Sequence, residues 1–210
     1  MRIIDCEQGS PEWHAARIGA ITGSEAWKLL VKPRNKSDRY SVTTQEYISD
    51  LIGETLTGWY PSISTEATRW GIEQEPNALE AYRSKYGPVQ RIGAAIKSEL
   101  GDKVLCSPDA ITEQLLIEIK CPWLSRNHIL HLQGHIKKEY FAQIQFNMWV
   151  TERSQAHFVS YDPRFPSNLQ LGVHLVELDE KMIRQFEAIV PGVLEEVDRI
   201  LFELLEMKND

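Results

Sequence analysis

Three residues within twelve positions carry the strongest chemical signal in the chain: Asp109, Glu118 and Lys120. The run Leu115-Leu116-Ile117-Glu118-Ile119-Lys120 has the composition of a strand, and alternate side chains of a strand share a face. Leu115, Ile117 and Ile119 then point toward a core. Leu116, Glu118 and Lys120 point the other way, with carboxylate and ammonium roughly 7 Å apart along that face. Charged groups are uncommon in so apolar a strand unless paired or functional. Asp109 precedes Glu118 with eight residues between them, behind a candidate strand ending near Cys106, so a hairpin returns it beside Glu118. Two adjacent carboxylates repel unless a cation lies between them, and hard oxygen donors suit Mg²⁺ or Mn²⁺ rather than zinc. A lysine in such a site is expected to lower its pKa and take a proton from an attacking water. The competing reading is an edge-strand ion pair between Glu118 and Lys120, with Asp109 merely starting a turn. These three residues alone leave the two readings level.

The surrounding elements must place these groups. Thr22, followed three residues later by Glu25, is a capping-box pattern that starts a short helix near Gly23 or Ser24. A helix is expected over Thr43 to Leu56, with Tyr47, Leu51 and Leu56 among its inward residues, and Gly58-Trp59-Tyr60-Pro61 breaks the chain. Glu66 to Tyr86 is helical in composition, with Pro76 an expected kink unless it falls in a first turn. Candidate strands follow at Val89 to Ile96, Lys103 to Cys106 and Leu115 to Lys120, with a hairpin-like turn at Ile111-Thr112-Glu113-Gln114. Tyr140 to Val150 reads as a helix, His157 to Tyr161 and Val173 to Glu177 as strands. Glu180 to Glu206 is a long amphipathic helix that Pro191 should kink or split. Helices on both sides of a central group of strands indicate an α/β sandwich with a mixed sheet, formed as a single domain over residues 1–210.

Composition sets broad limits. The chain has 210 residues, 42% of them hydrophobic and 25% charged, which is ordinary for a globular protein. A net charge of −7 gives no global sign of nucleic-acid binding. Lys28, Lys32, Arg34, Lys36 and Arg39 nevertheless cluster against only Asp38, in a loop that suits phosphate contacts. Three cysteines, Cys6, Cys106 and Cys121, form no Cys-x-x-Cys pair, against a disulfide framework or a structural zinc or iron–sulfur site. With no membrane span and no signal-peptide core, a cytoplasmic location is the expectation. His14, His128, His131 and His135 lack an accompanying carboxylate pattern and read as polar surface rather than as ligands. Trp13 and Trp70 could stack on bases, although tryptophans near helices more often anchor a core.

Pro108-Asp109, eight residues, then Glu118-Ile119-Lys120 resembles the core of the PD-(D/E)XK nucleases. The resemblance extends along the chain to the lambda-phage-type alkaline exonucleases, the YqaJ-like viral recombinases. Trp13-His14-Ala15-Ala16-Arg17-Ile18-Gly19, Ile21-Thr22-Gly23-Ser24, Trp70-Gly71 with Glu75, and Cys106-Ser107-Pro108-Asp109-Ala110 carry it. So do Glu118-Ile119-Lys120-Cys121-Pro122, Tyr140-Phe141-Ala142-Gln143-Ile144-Gln145, Met148-Trp149-Val150-Thr151 and Tyr161-Asp162-Pro163-Arg164.

The resemblance implies a restriction-endonuclease-like three-layer sandwich around a central mixed sheet. It implies an enzyme that degrades one strand of duplex DNA from its 5′ end to mononucleotides, leaving a 3′ single strand. Asp109, Glu118, the carbonyl of Ile119 and Glu75 would hold two Mg²⁺ ions, with Mn²⁺ able to substitute. Lys120 would orient or deprotonate the water, assisted by Gln143, and Arg17, Ser24 and Ser107 would grip the terminal 5′-phosphate. For Arg17 and Ser24 the chemistry agrees, because arginine suits bidentate phosphate binding and a helix's first turn attracts anions. The resemblance further implies a ring-shaped homotrimer around DNA, a single-strand annealing partner, and a phage or prophage origin in a bacterial host. The alternatives to be separated are an endonuclease on the same fold and a non-catalytic DNA-end-binding recombination module.

Overall fold

The computed structural model describes residues 1–60 and 65–207; Pro61 of the expected break lies outside them. In chain order the elements are β1 (Arg2–Ile4), α1 (Pro11–Arg17), β2 (Ile21–Thr22), a 3-10 helix (Gly23–Leu30), α2 (Val42–Thr57) and α3 (Glu66–Tyr86). Then follow β3 (Ala94–Ile96), a 3-10 segment (Ser98–Lys103), β4 (Val104–Cys106), β5 (Ala110–Ile111), β6 (Leu115–Lys120), α4 (Ser125–Leu132) and α5 (Lys138–Thr151). The chain ends with β7 (Gln155–Tyr161), a short 3-10 turn (Ser167–Leu169), β8 (Leu171–Glu177) and α6 (Glu180–Glu206).

The expected single central sheet is two four-stranded sheets, ordered β1-β3-β4-β2 and β5-β6-β7-β8. Both are mixed: β4 runs parallel to β2 and β6 parallel to β7, and the other pairings are antiparallel. The chain crosses between the sheets through Ser107-Pro108-Asp109. Pro108 has no N–H to continue a ladder, and the Asp109 side chain takes the N–H of Ile119, so regular pairing stops at Ala110.

Helix α5 fills the space between the two sheets. Phe146, Trp149 and Val150 pack with Ala95, Val104 and Cys106 of the first sheet and with Phe186, Val190 and Val193 of α6. Ile144 and Met148, on the other side of the same helix, pack with Leu116, Ala156 and Phe158 of the second sheet. Helix α3 covers the opposite face of that sheet, where Ala78, Leu79 and Tyr82 meet Ile117, Ile119 and Val159. Strand β6 is therefore interior, with helices on both faces. Phe146, Phe158 and Phe186 are fully buried, each contributing roughly 1.5–3 kcal/mol relative to exposure.

Several local expectations change. Thr22 stands at the N-cap of the 3-10 helix but makes no side-chain capping bond; its N–H goes to the Tyr47 hydroxyl and its Oγ1 lies beside Ser24. Glu25 pairs with Lys28 instead of closing the box. The expected strand over 89–96 shortens to Ala94–Ile96, with Gln90 bridging to Ile111 alone. Pro76 and Pro191 sit inside unbroken helices. Each removes one backbone bond, while the buried residues of α3 and the long apolar stripe of α6 hold the helices together. Leu56 faces water while Tyr47 and Leu51 are buried. Ser10 with Pro11 and Glu12 starts α1, a start pattern legible in the sequence. The basic loop is exposed coil with a turn closed by Asp38 N–H to Asn35 O, and Lys28 at its base is paired with Glu25 and Asp50.

Candidate active site

The β5–β6 hairpin does what the spacing required. Ala110 pairs with Ile117, which sets Asp109 beside Glu118, and Asp109 Oδ2 accepts from Ile119 N–H at 2.5 Å. Glu118 is 2% exposed. Lys120 Nζ donates to its Oε1 at 2.7 Å and to Gln143 Oε1 at 3.3 Å. Asn147 Nδ2 donates to its Oε2 at 3.1 Å. A carboxylate only accepts, so this contact fixes which way the Asn147 amide faces. The opposite end of that amide, Oδ1, is buried without a partner and lies against Gly23, where a Cβ would sit 2.0 Å from it.

Glu75 of α3 lines the same cleft of 460 Å³ as Asp109, Ile119 and Lys120, and pairs with Arg91 at 2.9 Å. The ion pair of the competing reading is thus present, but on an interior strand and within a crowd of carboxylates. Burial together with the negative Glu118 and Glu75 raises the Asp109 carboxyl well above the usual carboxylate range. Burial also raises Glu75, opposed by Arg91 and reinforced by Glu118. For Lys120 the expected lowering is reversed. Burial pulls its pKa down, yet Glu118 and Asp109 outweigh it and hold the ammonium above the usual lysine range.

The donor chemistry of Asp109, Glu118, Glu75 and the Ile119 carbonyl fits a hard divalent cation. Excess negative charge, expressed in the raised carboxyls, is what such a cation would neutralise. Among the described residues, no three of His, Cys, Asp and Glu converge closely enough to ligate one ion as they stand, and Lys120 and Asn147 hold the Glu118 oxygens.

A second polar cluster gathers Arg17, Ser24 and Ser107 around Trp13. Arg17 Nη2 donates to Ser24 Oγ at 3.2 Å, and its guanidinium lies 4.3 Å over the Trp13 ring. The Trp13 indole N–H is shared between Ser107 Oγ at 2.9 Å and Gly93 O at 3.1 Å. Trp13 is therefore the hub of this cluster rather than a core anchor. Ser107 and Asp109 stand two residues apart, so one loop carries a member of each cluster.

The reading of all four histidines as surface fails for two. His128 and His131 are buried on α4 and meet at Ser160 Oγ, at 2.8 and 3.0 Å. The Leu169 carbonyl accepts from His128 Nε2 at 2.8 Å. In the neutral ring that leaves Nδ1 to accept the Ser160 proton, so His131 Nδ1 must donate to Ser160. Burial pushes the His131 pKa down to about 4, aided by Lys137, His128, Lys120 and His174. An i, i+3 pair on a short helix does not reveal that both residues face β7. The sequence does not single out Arg91 or Trp123, and shows Asn147 only as a neighbour of Gln143. Asn147 shares the α5 face of Gln143 at i+4, Trp123 follows Lys120 by three residues, and Arg91 had no signal.

Comparisons with known proteins agree in kind. A model of the YqaJ-like viral recombinase domain matches residues 12–154. LHK-Exo, an alkaline exonuclease from Laribacter hongkongensis, was crystallised in complex with dAMP; it is 33% identical, with a TM-score of 0.83 over 95% of this chain and 98% of that one. A phage-related exonuclease from Haemophilus somnus shares the fold, at 18% identity and a TM-score of 0.74 over 88% of this chain and 96% of that one. The Escherichia coli protein ExoD is 38% identical over 71 residues, 33% of this chain and 78% of that protein. This chain belongs to the YqaJ-like viral recombinase family.

Proposed function

We propose that this member of the YqaJ-like viral recombinase family is a Mg²⁺-dependent exonuclease. It degrades one strand of linear duplex DNA from the 5′ end to mononucleotides and leaves a 3′ overhang for single-strand annealing recombination. The observation that carries the reading is the loop Ser107-Pro108-Asp109, which joins a polar, arginine-bearing cluster to a carboxylate-lined cleft. A gripped end and a cut bond require two such sites close together. The 33% identity to an alkaline exonuclease with a bound deoxynucleotide supports the same chemistry. On this reading α3, the β5–β8 sheet and α5 form the three layers of a restriction-endonuclease-like sandwich.

Two divalent ions, Mg²⁺ or Mn²⁺, held by Asp109, Glu118, Glu75 and the Ile119 carbonyl would stabilise charge on the attacking and leaving oxygens. The chain's own residues do the rest. Arg17 supplies a planar cation for the terminal phosphate, while Ser24 and Ser107 supply hydroxyl donors. Trp13 holds Arg17 by its face and Ser107 by its N–H. Lys120 stands as an ammonium between Glu118 and Gln143, so it donates to an oxygen in the cleft. It would take a proton from water only after releasing its own to solvent, which requires its carboxylate neighbours to be drawn off. Asn147 keeps Glu118 aligned. A homotrimeric ring, an annealing partner and action inside a bacterial host as a phage or prophage product complete the proposal.

The test is a time course in Mg²⁺ on linear duplexes with phosphorylated or unphosphorylated 5′ ends, beside a closed circle. Mononucleotides released faster from phosphorylated ends, with the circle untouched, are the expected result. Cutting of the circle would assign an endonuclease, and binding to ends without cutting would assign a recombination module.

A further inference from the structure

The cleft that holds the carboxylates also has apolar walls. Ile72, Trp123 and Leu124 line it together with Glu75, Asp109 and Lys120, with exposures of 68%, 40% and 43%. Apolar side chains clustered in water at the rim of a binding cleft mark a surface that a ligand covers. The charged and the apolar lining together match a molecule with one ionic and one flat hydrophobic part.

Trp123 is fixed in place. The Trp70 ring meets it edge to face with centroids 5.6 Å apart. The Arg164 guanidinium lies 4.7 Å over Trp70 and 5.9 Å from the Trp123 ring, and donates to the carbonyls of Trp123 at 3.0 Å and Pro122 at 3.3 Å. Arg164 is itself held by Asp162, whose fully buried carboxylate accepts at 2.8 and 2.7 Å. An indole already held by its neighbours loses little further freedom when a ligand stacks on it.

We propose that Trp123 is the stacking platform for the base of the nucleotide whose phosphate lies at Asp109, Glu118 and Lys120. The inference rests on the nuclease reading for the identity of the ligand. It makes the cleft a nucleotide site with phosphate at one end and base at the other. The platform accepts any base, because every base has a π-face.

Calorimetric titration in Mg²⁺ tests it without catalysis. The ligands are dAMP and 2-deoxyribose 5-phosphate, which lacks only the base. Wild type should bind dAMP about tenfold tighter or more, W123F should keep most of that ratio, and W123L should bring it near one. A ratio unchanged in W123L, or no preference in wild type, overturns the platform. A variant-free arm guards against misfolding of W123L: 5,6-dihydro-dUMP keeps the hydrogen-bonding edge of dUMP but loses its aromatic plane, and should bind wild type several-fold more weakly. Equal binding of the two overturns the proposal. Failure of wild type to digest linear duplex would sink the nuclease reading separately, since the titrations do not depend on turnover.

Discussion

Asn147 donates its amide to Oε2 of Glu118 at 3.1 Å, and this bond ties the central helix α5 to the buried carboxylate of β6. Removing the donor leaves a buried acceptor without its partner, a loss of about 1–3 kcal/mol. Asn147→Ala should lower the melting temperature and reduce turnover on linear duplex. Asn147→Asp, which sets a like charge against Glu118, should reduce turnover further. An aspartate variant as active as wild type would remove Asn147 from the site.

Lys120→Ala should lose hydrolysis by at least about a hundredfold, in the range of a positioned proton-transfer group, while binding duplex ends nearly as well as wild type. Digestion and gel-shift assays run on the same preparation separate the two effects. Retained Mg²⁺-dependent digestion would contradict its role.

Asp109 gives a stability test with a definite sign. Its folded pKa is raised, so ionisation is harder in the fold than in the open chain, and the metal-free protein loses stability as pH rises above the ordinary carboxylate range. In chelator at pH 8, Asp109→Asn should therefore melt above wild type. Adding Mg²⁺ should raise the wild-type melting temperature and leave the variant nearly unmoved. A variant that melts lower in chelator and still responds to Mg²⁺ would refute the crowding argument.

Arg17→Ala should abolish most of the preference for 5′-phosphorylated ends, by about tenfold or more in the ratio of rates. Trp13→Leu should act in the same direction, because Trp13 holds both Arg17 and Ser107. If either variant slows phosphorylated and unphosphorylated ends equally, the cluster does not read the phosphate.

His131 sets an acid limb. Its folded pKa of about 4 lies below the ordinary histidine value of about 6.5, so the unfolded chain takes up a proton that the fold refuses. Stability is full above that ordinary value and falls, by about 3 kcal/mol at most, as pH drops toward the folded one. His131→Gln should flatten that limb in denaturant melts at stepped pH; an unchanged limb would place the titration elsewhere.

What the sequence disclosed follows from periodicity and range. Helix α6 and strand β6 were legible because their apolar spacing repeats over enough residues to identify them. The return of Asp109 to Glu118 was legible because one short hairpin controls it. Strands β1 and β2, with three and two residues, are too short for a period, and their pairing partners lie far along the chain. The division into two sheets turns on what Pro108 and Asp109 do to a ladder, which no periodicity encodes. His128 and His131 looked like surface because their common partner, Ser160, arrives from β7. The upward shift of Lys120 arises because the ion pair with Glu118, expected as an alternative to the site, stands inside it.

Gly23 precedes Ser24 in the chain and presses against Asn147, with room for no side chain between them. The segment that presents Ser24 and the helix that steadies Glu118 therefore share one wall without slack. On the proposed reading this makes the molecule a caliper with both jaws cast in one piece. The step from a held end to the severed bond is set by a rigid contact, and one added methyl at Gly23 would throw the gauge out at both jaws together.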